Sequence, residues 1–296
     1  MNNFLSIIKE ICEELNIKFK TISKNWISIL EKDNNIRYII GYKFDINGNG
    51  ISRIMDDKYA FYELVKLYNF PVIEHNIIFK DYDKSKIKNI FYKYNQNVVV
   101  KINTGTCGTD VFNINLLDDL YKTIDDLFKN NYSLSLCPYI NIKNEYRVII
   151  LKDKVLLIYG KEKPVVYGDG KSSIEDLLIK FNPTFFKKRK NLSKNILKIN
   201  AKYEYDWRFN LSRGAMPFLN IDNKLAKKLE YNALIIAKKL NLEFCSLDFI
   251  VDDKDNLLLM EANSGVMMDN FMKIVPNGKI IAKNIYKKAI IEMFKK

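Results

Sequence analysis

Residues 245–263 read Cys-Ser-Leu-Asp-Phe-Ile-Val-Asp-Asp-Lys-Asp-Asn-Leu-Leu-Leu-Met-Glu-Ala-Asn. Two apolar runs, 245–251 and 257–262, flank Asp252-Asp-Lys-Asp-Asn256. Turn-forming residues between two strand-like runs predict an antiparallel hairpin. Side chains alternate along a strand, so Glu261 and Asn263 share a face. Asp248, across the hairpin, is placed to join them. Two carboxylates and an amide oxygen make a hard, all-oxygen set suited to Mg²⁺, an ion that keeps several waters and bridges carboxylates to phosphates. The competing reading is a hairpin with polar residues on its solvent face.

Working upstream, Val98-Val-Val-Lys-Ile102 predicts a short strand that runs into Asn103-Thr-Gly-Thr-Cys-Gly-Thr-Asp110. A strand that delivers Lys101 into a loop bearing Gly105 and Gly108 can lay backbone N–H groups against phosphates. It is not the P-loop pattern, which needs Gly-Lys-Ser/Thr opening a helix. A plain hairpin turn is the alternative. Glu145-Tyr-Arg147 and Arg208-Phe-Asn210-Leu-Ser-Arg-Gly214 add guanidinium forks for carboxylate or phosphoryl oxygens. Isolated arginines are usually surface residues.

Around these pieces, apolar spacing predicts helices over 3–16, 57–68, 115–130, 223–240 and 279–294. Strands are expected near 26–30, 36–42, 133–140, 145–151 and 154–160. Ser172-Ser-Ile-Glu175 has capping-box spacing and opens a helix over 173–180. The run Asp45-Ile-Asn-Gly-Asn-Gly50 reads as a turn, and 186–203 as a lysine-rich connection. Helices and strands mix throughout and hairpins recur, so the class is α+β.

Composition narrows the functions. The 296 residues carry 48 Lys+Arg against 35 Asp+Glu, a net +13, with 48% hydrophobic residues. That is globular composition, and the charge suggests an anionic partner or a compositional bias toward Lys, Asn and Ile. His75 is the only histidine, which argues against a Ser-His-Asp triad and a multi-His zinc site. Cys12, Cys107, Cys137 and Cys245 form no CxxC pair, so a reducing, cytoplasmic setting is expected. No apolar stretch reaches the roughly 18 residues of a spanning helix, and the early Glu10, Glu13 and Glu14 argue against a signal peptide. Lys187-Lys-Arg-Lys190, followed by Lys194, Lys198 and Lys202, lacks interleaved stacking aromatics. It is a weak nucleic-acid signal and fits better a loop flanking a polyanionic site. Phe185 and Phe186 are expected to anchor that loop, Met267 and Met268 to pack, Cys107 to fill space and His75 to make a routine hydrogen bond.

The order of these motifs resembles the ATP-grasp superfamily of carboxylate–amine ligases over about residues 55–272. Asp57-Lys58, followed by a helix ending at Phe70-Pro71-Val72, is similar to the family's segment before its ATP-binding domain. Val166-Tyr-Gly-Asp-Gly-Lys-Ser-Ser-Ile174 is most similar to cyanophycin synthetases and the ligase module of bifunctional glutathione synthetases. The resemblance implies a nucleotide held between two α+β subdomains. A short N-terminal region would span 1–56 and the ATP-grasp domain 57–296, with a lid over about 80–140 and a large subdomain over 141–296.

It implies that Lys58 and Lys101 meet the ATP phosphates under a lid loop that includes Gly105 and Gly108. Leu136-Cys-Pro-Tyr-Ile140 would meet the adenine, through the Pro138 carbonyl and the Ile140 N–H, and Glu145 the ribose. Arg147, Arg208 and Asn210 would steady an acyl phosphate, and Asp248, Glu261 and Asn263 would hold Mg²⁺, with two ions expected. The implied reaction joins an amino-acid or peptide carboxylate to an amine, with no nucleic acid or membrane as partner. A homodimer stays open. So do two other functions, a kinase acting on a hydroxyl and a basic nucleic-acid-binding module.

Overall fold

The computed structural model describes residues 3–24, 27–106 and 108–295. Cys107 lies outside the described residues. The N-terminal region comprises α1 (Asn3–Glu14), the antiparallel meander β1 (Lys18–Ile22), β2 (Ile27–Lys32), β3 (Asn35–Ile40) and β4 (Lys43–Phe44), then α2 (Asn49–Asp56). Next comes α3 (Lys58–Lys66), capped by the Asp57 carboxylate, which accepts from the Ala60 N–H at 2.8 Å.

A small subdomain follows: β5 (Asn76–Phe79), α4 (Lys84–Lys93), β6 (Val98–Ile102), β7 (Val111–Ile114), α5 (Leu117–Leu127) and β8 (Ser133–Pro138). Its described strands pair in the order β5-β8-β6-β7. Val98 and Val100 turn inward onto α4 and α5, whereas Val99 and Lys101 point the other way.

The large subdomain holds β9 (Ile142–Leu151), β10 (Lys154–Glu162), β11 (Val165–Tyr167), α6 (Ile174–Phe181), α7 (Pro183–Phe186), β12 (Lys202–Glu204), β13 (Met216–Phe218) and α8 (Asn223–Leu240). It continues through β14 (Phe244–Asp252), β15 (Leu257–Asn263), α9 (Asp269–Ile274) and α10 (Gly278–Met293). The main sheet, among the described residues, runs β13-β10-β9-β14-β15, antiparallel throughout.

The two faces of this sheet have different fates. Tyr146, Val148 and Ile150 of β9, with Cys245, Leu247 and Phe249 of β14, pack on α8, α2 and α3. On the other face, Ile149, Leu151 and Phe244 join the core built from α1, α9 and α10. Glu145, Arg147 and Asp248 share that second face beyond the core's edge; Glu145 and Arg147 line a cavity, and Asp248 is buried behind them.

Among the described residues, the first 56 have no separate core. Ile7, Ile8 and Ile11 of α1 share one cluster with Ile285, Ala289 and Ile290 of α10. Around its rim, Lys283 bonds Glu10 at 3.0 Å and Glu14 at 2.8 Å, with Lys287 on Glu14 at 2.7 Å.

The structure departs from the expected elements in places. The stretch read as a turn through Gly50 already enters α2 at Asn49, and α4 had no counterpart. The capping box is one residue later than expected: Ser173 is the N-cap and Asp176 its reciprocal partner. The sheet of the small subdomain begins at Asn76 and ends at Pro138. The connection over 186–203 is stitched back, with Gly168 N–H on Ala201 O at 2.9 Å and Ile174 N–H on Asn195 O at 3.0 Å. Among the described residues, no helix is long and apolar enough to cross a membrane.

Two outcomes follow for α1. Ile8→Ala, fully buried, is expected to lower unfolding free energy by about 2–5 kcal/mol in urea titrations. Glu10 and Glu14 are held below their ordinary 4.5, Glu14 at about 2, chiefly by the Lys283 hydrogen bond. Their stabilising pairing is therefore complete above pH 4.5 and is lost as pH falls toward 2. Lys283→Gln should lower the urea midpoint at neutral pH and flatten its fall through that acid window. The neutral-pH loss should shrink at about 1 M salt, where the Debye length is about 3 Å.

Candidate active site

The polar half of the main sheet is assembled by register. Tyr159, Arg147, Asp248 and Glu261 are successive Cα partners across β10, β9, β14 and β15. Lys161 pairs with Glu145 in the adjoining row, and Ser246 with Asn263. This row forms one wall of a cavity of about 590 Å³. The β5-β8-β6-β7 sheet lines it through Val99, Lys101 and Cys137, and Gly41–Lys43 also contribute.

Asp248 is fully buried and accepts from Arg147 Nε at 2.8 Å and Nη2 at 2.7 Å, Lys161 Nζ at 3.0 Å and Asn263 Nδ2 at 3.2 Å. Lys161 also pairs with Glu145. Burial pushes the Asp248 carboxyl up, but Arg147 and Lys161 outweigh it and hold the group well below the usual carboxylate range. For Glu145 burial prevails over Lys161, and its carboxyl is pushed up to about 7. The structure thus revises two expectations. Arg147 is committed through two donors to Asp248, leaving its remaining N–H groups for a ligand. Asp248 is engaged by two cations.

Among the described residues the Glu261 side chain has no hydrogen bond or ion pair, and Asn263 keeps its carbonyl oxygen after donating to Asp248. Among the described residues, no three His, Cys, Asp or Glu side chains are grouped to hold a metal ion. The available oxygen donors are Glu261 and Asn263 beside Asp248, and their hard chemistry fits Mg²⁺.

Lys58 and Lys101 both reach the cavity, from α3 and β6. Lys58 Nζ donates to the carbonyls of Asn103 at 3.2 Å and Gly105 at 2.5 Å. Burial lowers its pKa, opposed by Glu261 and reinforced by Lys101. The Asn103 side chain accepts from the Tyr59 N–H at 3.1 Å, which docks the start of the loop on α3. Gly108 has φ +65°, and a Cβ there would meet Asn210 Nδ2 at 2.7 Å. Only glycine satisfies both the backbone and the close approach.

Arg208 does not stand alone in the cavity. Asp206 accepts from its Nε at 2.8 Å and Nη2 at 3.0 Å, while its Nη1 donates to Gly108 O at 3.4 Å and Val111 O at 3.2 Å. Asn210 lines the cavity and accepts from the Ser212 N–H at 2.8 Å. Pro138, Tyr139 and Ile140 line the same space, where the Tyr139 ring lies 5.7 Å from Trp207.

Sequence reasoning missed Lys161, Asp206, Trp207, and the pair Lys43–Asp56, whose carboxylate also accepts from Ser264 at 2.7 Å. Lys161 and Asp206 share a legible signal: each lies two residues or one paired strand from a selected charge. His75 bonds Ser135 Oγ at 2.6 Å and is buried, as expected. Phe186 and Met268 are buried as expected, but Met267 lines the cavity, and the basic run 187–190 does not.

Residues 197–287 match the family model described as a RimK-like ATP-grasp domain. No match is found among curated proteins. Among solved structures, a bifunctional glutathione synthetase from Pasteurella multocida is similar with a TM-score of 0.57 and 16% identity, over 97% of this chain and 44% of that one. A D-alanine–D-alanine ligase from Bacillus anthracis is similar with a TM-score of 0.55 and 15% identity, over 83% and 68%. The VanG D-Ala:D-Ser ligase from Enterococcus faecalis follows at 0.52 and 15%, over 80% and 63%. The chain therefore spans less than half the length of the glutathione synthetase. It has an ATP-grasp fold.

The buried cluster makes a stability prediction. Asp248→Asn leaves Arg147 and Lys161 without their shared counter-charge and should cost about 3–5 kcal/mol in urea unfolding. Glu261→Gln, which breaks no side-chain hydrogen bond among the described residues and removes only its attraction for Lys58, should cost far less, about 1 kcal/mol or below.

Proposed function

We propose that the chain is an ATP-dependent, ADP-forming ligase that joins the carboxylate of an amino acid or peptide to an amine. The observation that carries this reading is the convergence of Lys58, Lys101 and Arg208 with the unpaired Glu261 carboxylate on one cavity. Likeness to a glutathione synthetase and a D-alanine–D-alanine ligase supports it.

A carboxylate oxygen is a weak nucleophile and ATP is strongly anionic. The site's task is to neutralise charge and align groups, which is how phosphoryl transfer is usually catalysed. The carboxylate attacks the γ-phosphorus and ADP leaves. The amine then attacks the acyl carbon, inorganic phosphate leaves, and the nitrogen loses its proton. Lys58 and Lys101 stabilise phosphate oxygens from two sides. The free N–H groups of Arg147 and Arg208 face the oxygens that gain charge. Asn210 and Gly108 keep the lid loop against the far wall, and the closed loop keeps water from the acyl phosphate. Pro138, Tyr139 and Ile140 would offer backbone groups and apolar surface to the base, and Glu145 would accept from a ribose hydroxyl. Mg²⁺, when bound, would supply further positive charge against the phosphates. Glu261 and Asn263 would hold it, with Asp248 behind them.

The test is ADP release over paired amino acids and short peptides, with mass detection of the product. An amide with ADP and phosphate is the expected outcome, whereas a phosphate ester with ADP alone would assign a kinase. Glu261→Ala should lower turnover by at least about 100-fold, the kinetic equivalent of the several kcal/mol that a phosphate-bound metal contributes. Lys187→Ala combined with Lys188→Ala should leave it within about twofold. Undiminished turnover in Glu261→Ala would overturn the metal-holding role.

A further inference from the structure

A guanidinium offers five N–H donors in a rigid fork. Arg208 uses four of them in a polarised way: Nε and Nη2 bind Asp206, and both Nη1 hydrogens bind carbonyls of the lid loop. Asp206 is buried, and it also accepts from the Arg208 backbone N–H at 3.1 Å and from Arg213 Nε at 2.5 Å.

The segment that carries this carboxylate is anchored from behind. Asn182, fully buried, donates to Gly214 O at 2.9 Å. Gly214 itself has φ +103°, and a Cβ there would come within 2.9 Å of the Phe185 and Phe186 rings. The start of the loop is held by Lys58, whose Nζ donates to Asn103 O and Gly105 O, and by the Tyr59 N–H on the Asn103 side chain. Toward its far end the described anchorage is lighter, with Thr109 N–H on Thr106 O at 3.3 Å. A fixed carboxylate therefore aims a charged fork at the far end of the loop.

We propose that Asp206 is a positioning residue and Arg208 the latch it sets. Asp206 fixes the plane of the Arg208 guanidinium so that its outer edge grips the Gly108 and Val111 carbonyls and holds the lid loop over the cavity. The latch stands on geometry. Its use in catalysis rests on the nucleotide reading above, because an anion that enters beneath the loop meets the same guanidinium.

Hydrogen-exchange mass spectrometry on the full chain tests this without a known substrate. Asp206→Asn should raise exchange over 103–112 by about tenfold or more and leave β6, over 98–101, at the wild-type rate. Arg208→Gln should do the same while leaving Asp206 its Arg213 partner, which provides a second variant if Asp206→Asn folds poorly. The double variant should exchange no faster than either single one, since both break one device. Asp206→Glu should restore most of the protection. Wild-type exchange of the loop in Arg208→Gln would overturn the latch. Additive effects in the double variant, or an equal rise throughout β6, would overturn the positioning role of Asp206. MgATP added to the wild type separates the two ideas: no added protection at 58–60 or 98–112 would count against the nucleotide reading and leave the latch untouched.

Discussion

The pairing of β9 with β14 in the register that sets Arg147 opposite Asp248 is the constraint on which the site depends. A shift by one residue would move Arg147 to the α8 face and bring Val148 or Tyr146 to the cavity. The register is protected from both directions. Alternate residues on the two strands are buried against α8, and the Arg147–Asp248 pair is itself buried and bonded through two N–H groups. Such a pair adds little net stability over an apolar one, but removing one partner is costly. Its contribution is to make the alternative registers unfavourable. Lys161 and Glu145 join the pair, so that each buried cation meets a carboxylate and each carboxylate a cation.

Around that fixed wall the other parts converge by short, polar contacts. The lid sheet is joined to the large subdomain by Pro71–Ile73, hydrogen-bonded to Leu259 of β15, and by the stretch after Pro138. Lys58 and Asn103 hold the loop from one side and Arg208 from the other. The strong positive charge of the chain acquires local meaning here. Lys58, Lys101, Lys161, Arg147 and Arg208 all line one cavity, while the densest lysine run lies outside it.

Much of this was legible in the sequence where the information is local. The hairpin through Asp248, Glu261 and Asn263 rests on alternation and turn chemistry, and α8 on a clean amphipathic period closed by Asn241 at φ 53°. Helix α2 was hidden because it opens on Asn49-Gly50, residues that otherwise signal turns. The partner of Arg147 was not legible, because 101 residues separate it from Asp248 and only strand register joins them. Arg208 was visible as a charge and not as a latch, since its acceptors are loop carbonyls, which every residue carries alike. Lys43 reached the cavity through the packing of the N-terminal meander, which no motif announces.

That meander and α1 carry a further consequence, one of timing. The apolar face of α1 packs on the meander and is completed by α10, and the ion pair between Glu10 and Lys283 joins residues 273 positions apart. Closing so long a loop costs conformational entropy before its contacts repay it, whereas the core drawn from 78–136 rests on far more local contacts. The seam between α1 and α10 is therefore expected to close late in folding, after the sheet drawn from 78–136 has consolidated.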